Sequence, residues 1–103
     1  MKKKEVKGKE ISENIKILGK ENDEFIIREL EIPYLNSRKT YVNVIKGEVV
    51  INYEKKELID VSAGFSKKKK FVKRIELPQK ADPKTIKYKT YSNKVIITFK
   101  KKK

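Results

Sequence analysis

The chain has 103 residues, 37% hydrophobic and 41% charged, and its 28 Lys and Arg against 14 Asp and Glu give a formal net charge of +14. That length holds one domain with a lean core, which suits a thin sandwich better than a bulky helical globule. With neither Cys nor His present, disulfide staples, thiolate or imidazole metal sites, and Cys–His or Ser–His nucleophiles are excluded.

Residues 1–13 scatter their apolar positions and include a glycine, so a basic, mostly unstructured segment is expected there. The domain is expected over 14–101, with a short basic end at 102–103. Asn14 to Leu18 alternates apolar and polar residues as a strand does, and Gly19 with the polar stretch after it breaks the pattern. Phe25 to Ile32 is rich in Ile and Leu and stops at Pro33, which lacks a ladder donor. Thr40 to Ile45, the Lys46-Gly47 turn signal and Val49 to Tyr53 then read as a β-hairpin. Glu54 to Lys70 is less regular. It is expected to be a connection with at most one short edge strand near Leu58 to Val61 and a turn at Ala63-Gly64. Phe71 to Leu77 is a strand ending at Pro78, and Asp82-Pro83 marks a turn. Thr85 to Tyr91 and Val95 to Phe99 close the chain as a second hairpin around Ser92-Asn93-Lys94. The whole reads as all-β.

Two stretches echo each other. Ile26-Ile-Arg-Glu-Leu-Glu-Ile-Pro33 aligns with Phe71-Val-Lys-Arg-Ile-Glu-Leu-Pro78, and each is followed by a loop and a hairpin. A strand plus a hairpin, repeated, can build the two halves of a sandwich.

The stretch FVKRIELPQKADPKTIKYKTYSNKVIITFKK resembles the second half of the alpha-crystallin domain of small heat shock proteins. The features that carry the likeness are Phe71, Ile75, Leu77-Pro78, Asp82-Pro83, Ile86 and the Val95 to Phe99 strand. Asp23 to Lys56 is similar to the family's opening strand and first hairpin, with Ile32-Pro33 in place of its Leu-Pro. The resemblance implies an immunoglobulin-like β-sandwich of two antiparallel sheets with about seven or eight strands. It also implies ATP-independent holding of unfolding proteins, with a homodimer as the basic unit. The family's C-terminal Ile-x-Ile motif and apolar N-terminal arm have no match in the sequence, and a position that usually holds Arg is Lys73, with Arg74 beside it. Lys73 and Arg74 are the candidate dimer contact; lysine keeps the charge there but lacks the planar fork.

A holding chaperone needs exposed apolar surface. In a sandwich of this kind the groove between the first hairpin's edge strand and the strand opening the second would supply it, from Val42, Val44, Ile86 and Tyr88. The client-binding partners would be partly unfolded proteins. No cofactor is expected, and Asp60 and Asp82 read as a surface and a turn residue rather than as an acid–base pair. No apolar run approaches the roughly 20 residues that span a bilayer, nor does one follow the charged MKKKEVKGKE start, so a cytoplasmic protein without membrane contact is expected. Two other readings stand beside the chaperone. One is a basic domain binding RNA or the ribosome, with Lys87, Lys89 and Tyr91, and the stretch Tyr53-Glu54-Lys55-Lys56, pairing a basic track with aromatic platforms. The other is a co-chaperone or adaptor sandwich that docks one defined partner.

Overall fold

The computed structural model describes residues 14–60 and 65–102. The segment expected to be unstructured, residues 1–13, and the expected Ala63-Gly64 turn lie outside the described residues, as does Lys103. Seven strands form two antiparallel sheets: β1 (Lys16–Glu21), β2 (Phe25–Glu31), β3 (Tyr41–Ile45), β4 (Glu48–Asp60), β5 (Phe65–Glu76), β6 (Lys87–Thr90) and β7 (Lys94–Lys100). One sheet runs in the order β1-β2-β7-β6 and the other β3-β4-β5.

Local chemistry sets the turns. Asn22 caps the β1–β2 turn, its side-chain oxygen accepting from the amides of Glu24 at 2.9 Å and Phe25 at 2.8 Å. Between β3 and β4, Lys46 (φ 50°) and Gly47 (φ 81°) both adopt left-handed backbone, the condition for a two-residue hairpin turn whose twist matches the strands. Along β2 and β7 the buried side chains alternate: Ile26 and Leu30 oppose Phe99 and Val95, with Ile97 between them. The other sheet answers with Val42, Val49, Ile51, Tyr53 and Phe71, and the Tyr53 and Phe71 rings stack at 5.4 Å.

The internal echo is a structural repeat. The lone strand of each unit pairs with the hairpin of the other: β2 with β7, and β5 with β4. The register repeats too. Ile26 opposes Phe99 as Phe71 opposes Tyr53, and Leu30 opposes Val95 as Ile75 opposes Val49. The loops share their caps and bridges. Asn36 caps a single 3-10 turn at Ser37–Lys39 through the Arg38 amide, and Asp82 caps one at Pro83–Thr85 through the Lys84 amide. Isolated bridges join Leu35 to Lys55 and Ala81 to Lys101.

Three expectations need correction. The span Glu54 to Lys70 is not a connection: β4 runs on to Asp60 and β5 begins at Phe65, in continuous register apart from a bulge near Leu58. Beyond the core the sequence of this hairpin lacks the alternation that marks a half-buried strand, and its register sets Glu54 opposite Lys70 but Lys55 opposite Lys69 and Lys56 opposite Lys68. Gly19 does not end β1, which continues to Glu21. It stands opposite Arg28, and a Cβ at this position would lie 3.1 Å from the Arg28 guanidinium. Thr85 belongs to the 3-10 turn rather than to β6. Its hydroxyl donates to the Asp82 carbonyl at 2.7 Å and so holds the turn closed.

Candidate functional site

The groove residues fall on two sheet edges. β3 is the edge of one sheet and β6 the edge of the other. Val42 and Val44 oppose Ile51 and Val49, so they point between the sheets. Val42 is 5% exposed, and Val44 and Ile86 pack half-buried against the core. Tyr88 opposes the buried Ile97, hence faces the same interlayer space, but is 38% exposed. The Thr90 hydroxyl donates to the Ser37 carbonyl at 3.1 Å, which ties the end of β6 to the turn leading into β3. Val42 therefore belongs to the core, while Val44, Ile86 and Tyr88 keep partial exposure along or just before the two edge strands.

Lys73 and Arg74 both lie on β5, which pairs only with β4 among the described residues. They point to opposite faces. Lys73 opposes the buried Ile51 and is half-buried, whereas Arg74 is on the outer face, 3.5 Å from the Glu48 carboxylate. Lys87 and Lys89 are exposed on the outer face of β6, opposite in direction to Tyr88. Tyr91 follows in the same alternation, and the Lys94 ammonium sits 5.6 Å from its ring centre. Acids share this face: Lys94 is 3.8 Å from Glu29, and Glu31 opposes it.

A second site is only partly anticipated by the basic, aromatic stretch Tyr53 to Lys56, whose ring is buried in the core at 2% exposure rather than offered to a ligand. Val49, Ile51 and Tyr53 of β4 point inward, so Asn52, Glu54 and Lys56 point outward. Lys70 stands opposite Glu54 and Lys68 opposite Lys56 on the same outer face. At the end away from the Lys46-Gly47 turn, a shallow cleft of about 290 Å³ opens among Tyr34, Leu35, Asn36, Glu54, Lys56 and Lys68. Glu54 is 7% exposed and accepts from the Asn36 side-chain amide at 3.2 Å. Tyr34 is 68% exposed and adopts φ 62°, a backbone region that costs a bulky residue about 1–2 kcal/mol. The repeat explains that strain. Pro33 reaches Leu35 through one residue, where Pro78 reaches the equivalent Ala81 through two, Gln79 and Lys80. The shorter loop closes by bending at Tyr34.

Among the described residues, no helix is long and apolar enough to cross a membrane. The architecture defines a small antiparallel sandwich of alpha-crystallin type, in which a three-stranded sheet packs on a four-stranded one. No protein-family model and no curated protein matches the sequence. Solved structures do match. Heat shock protein 16.0 from Schizosaccharomyces pombe superposes with a TM-score of 0.67 at 16% identity, over 86% of this chain and 67% of that one. A small heat-shock protein from Xylella fastidiosa gives 0.64 at 18% identity over 87% of each chain. The rat alpha crystallin domain gives 0.58 at 16% identity, over 81% and 86%. The chain therefore has the alpha-crystallin-domain fold that small heat shock proteins carry.

Proposed function

We propose that this chain is an ATP-independent holding chaperone that acts in the cytoplasm on partly unfolded proteins. The observation that carries the reading is the set of partly exposed apolar side chains at the β3 and β6 edges, Val44, Ile86 and Tyr88, in a fold shared with small heat shock proteins. An extended client segment laid along the slot proposed between these edges would bury Val44, Ile86 and the Tyr88 ring and find unpaired strand edges on both sides. A net charge of +14 keeps such complexes apart in solution by like-charge repulsion. The homodimer part of the reading assigns Lys73 and Arg74 to the contact. Its support is their position on β5, whose outer side carries no strand among the described residues.

The test is suppression of light scattering from a heated or reduced model protein, without nucleotide. The intact chain is expected to suppress it at a few-fold molar excess. Val44→Glu and Ile86→Glu should each weaken suppression while the far-UV spectrum stays β-like. No protection by the intact chain would sink the holdase reading, and unchanged protection in both variants would remove the slot from it.

A further inference from the structure

We propose that the outer face of the β3-β4-β5 sheet binds single-stranded nucleic acid, at a track centred on the Tyr34 cleft. Nonspecific binders of single strands combine a lane of cations for phosphates with exposed rings on which bases stack. Both lanes are present on this one face. Tyr41, 54% exposed, opposes Asn52; Tyr34 lines the cleft beside Lys56. Asn52 and Lys56 are four residues apart on β4, so the two rings are spaced by about 13 Å along the sheet. Across β4 from the rings, Lys68 and Lys70 project from β5, and Lys56 lies between the lanes. None of these three lysines is in an ion pair among the described residues. Of the acids on this face, Glu54 is buried under the Asn36 amide, and Glu48 (paired with Arg74) and Glu76 lie at the far end of the sheet, by the Lys46-Gly47 turn.

The competing basic surface, Lys87 and Lys89 on β6, fits less well. Its tyrosine, Tyr91, is 43% exposed but already has the Lys94 ammonium 5.6 Å from its ring centre, and Glu29 and Glu31 share the face. An acidic protein segment would also be drawn to the lysines, but it would have no use for exposed rings. The bent backbone at Tyr34 adds to the case, because strain of that kind is concentrated at working sites. In this sandwich it holds an aromatic ring out at the mouth of a cationic cleft.

The experiment is fluorescence anisotropy of a labelled single-stranded oligonucleotide against the whole chain, repeated over a salt series. Removing the cleft charges with Lys56→Gln, Lys68→Gln and Lys70→Gln together should weaken binding more than tenfold. It should also flatten the log–log salt slope by about 2, at roughly 0.7 for each phosphate no longer neutralised. Lys84→Gln, Lys87→Gln and Lys89→Gln change the net charge equally and should cost under twofold. Tyr34→Gly, which relaxes the bent backbone while deleting the ring, should weaken binding about tenfold, and Tyr34→Phe should keep it. Circular dichroism and aggregation suppression should be unchanged in the cleft variants, separating this site from the holdase slot. Equal weakening by both lysine triples would overturn the proposal in favour of diffuse charge. Undiminished binding by Tyr34→Gly with equal displacement by polyglutamate would replace nucleic acid with an acidic protein partner. An oligonucleotide that fails to bind the intact chain at low salt would end the proposal outright.

Discussion

Equivalent positions of the two repeats carry different chemistry at Asn36 and Asp82, which allows an exchange experiment. Each side chain caps a 3-10 turn: Asn36 Oδ1 accepts from the Arg38 amide at 3.1 Å and Asp82 Oδ1 from the Lys84 amide at 3.0 Å. Asn and Asp serve about equally as caps, so Asp82→Asn should leave stability within about 0.5 kcal/mol. Asn36 does a second job, because its amide donates to the buried Glu54 carboxylate. Asn36→Asp keeps the cap, removes that donor and sets a second carboxylate beside the first. Losing a partner to a buried polar group costs about 1–3 kcal/mol, and more when the group is charged, so the exchange should cost about 2–4 kcal/mol. With a urea slope near 1.5 kcal/mol/M, expected for a small domain, the unfolding midpoint should fall by about 2 M at an unchanged slope. Urea titration followed by circular dichroism reads this directly. Adding Glu54→Gln returns an amide donor and removes one charge, so it should recover most of the loss, with coupling above about 1 kcal/mol in the double-mutant cycle. If Asn36→Asp and Asp82→Asn shift the midpoint alike, or Glu54→Gln rescues nothing, then Asn36 is only a cap.

Two smaller effects follow from the backbone and from one ion pair. Gly47→Ala places a Cβ on a residue at φ 81°, which should lower stability by about 1 kcal/mol and the thermal midpoint by about 4–8 °C; an unchanged midpoint would mean the turn relaxes freely. Glu21 accepts from the Lys101 ammonium at 2.9 Å, and that hydrogen bond, with the lysine's charge, holds its carboxyl below the ordinary carboxylate range. Since the folded value is the lowered one, the contact's stabilisation is present above the unfolded-state pKa and fades as pH falls through the folded value. Carboxyl NMR titration should show the lowered midpoint, and Lys101→Gln should raise it towards the ordinary range. A midpoint unmoved by Lys101→Gln would assign the shift elsewhere.

Much of the sandwich was legible because its inner faces obey the two-residue period. Ile26, Leu30, Val95, Ile97 and Phe99 mark their strands without help from the rest of the chain. The repeat could be read from Ile26–Pro33 and Phe71–Pro78, since strand partners at matching positions need matching apolar residues. The arm from Glu54 to Asp60 and from Phe65 to Lys70 could not, because strand there is continued by backbone pairing through a lysine-rich run that shows no two-residue apolar alternation. The Tyr34 cleft was hidden for a related reason. It depends on register between strands and on a loop one residue shorter than its counterpart, and neither has a local signature. Two partial signals were available: the Tyr53 to Lys56 stretch, which supplied Glu54 and Lys56 but the wrong ring, and that comparison of Pro33-Tyr-Leu35 with Pro78-Gln-Lys-Ala81.

The two-fold repeat also separates what the fold requires from what this chain has added. Features present in both units, such as the caps at Asn36 and Asp82, the bridges at Leu35 and Ala81 and the matched core pairs, explain the sandwich by themselves. The β3 and β6 edges are equivalent strands, so the proposed slot between them belongs to the shared plan. Departures from the repeat lie elsewhere. β2 is flanked by β1, whereas the described residues give β5 no such neighbour, and β4 and β5 instead lengthen into a lysine-dense hairpin. The shortened loop at Tyr34 opens onto that same hairpin. Neither feature is needed to close the core, and the bent backbone costs stability. Two departures that converge on one basic, aromatic face are what the nucleic-acid proposal for that face requires, and neither has a counterpart at the equivalent place in the repeat.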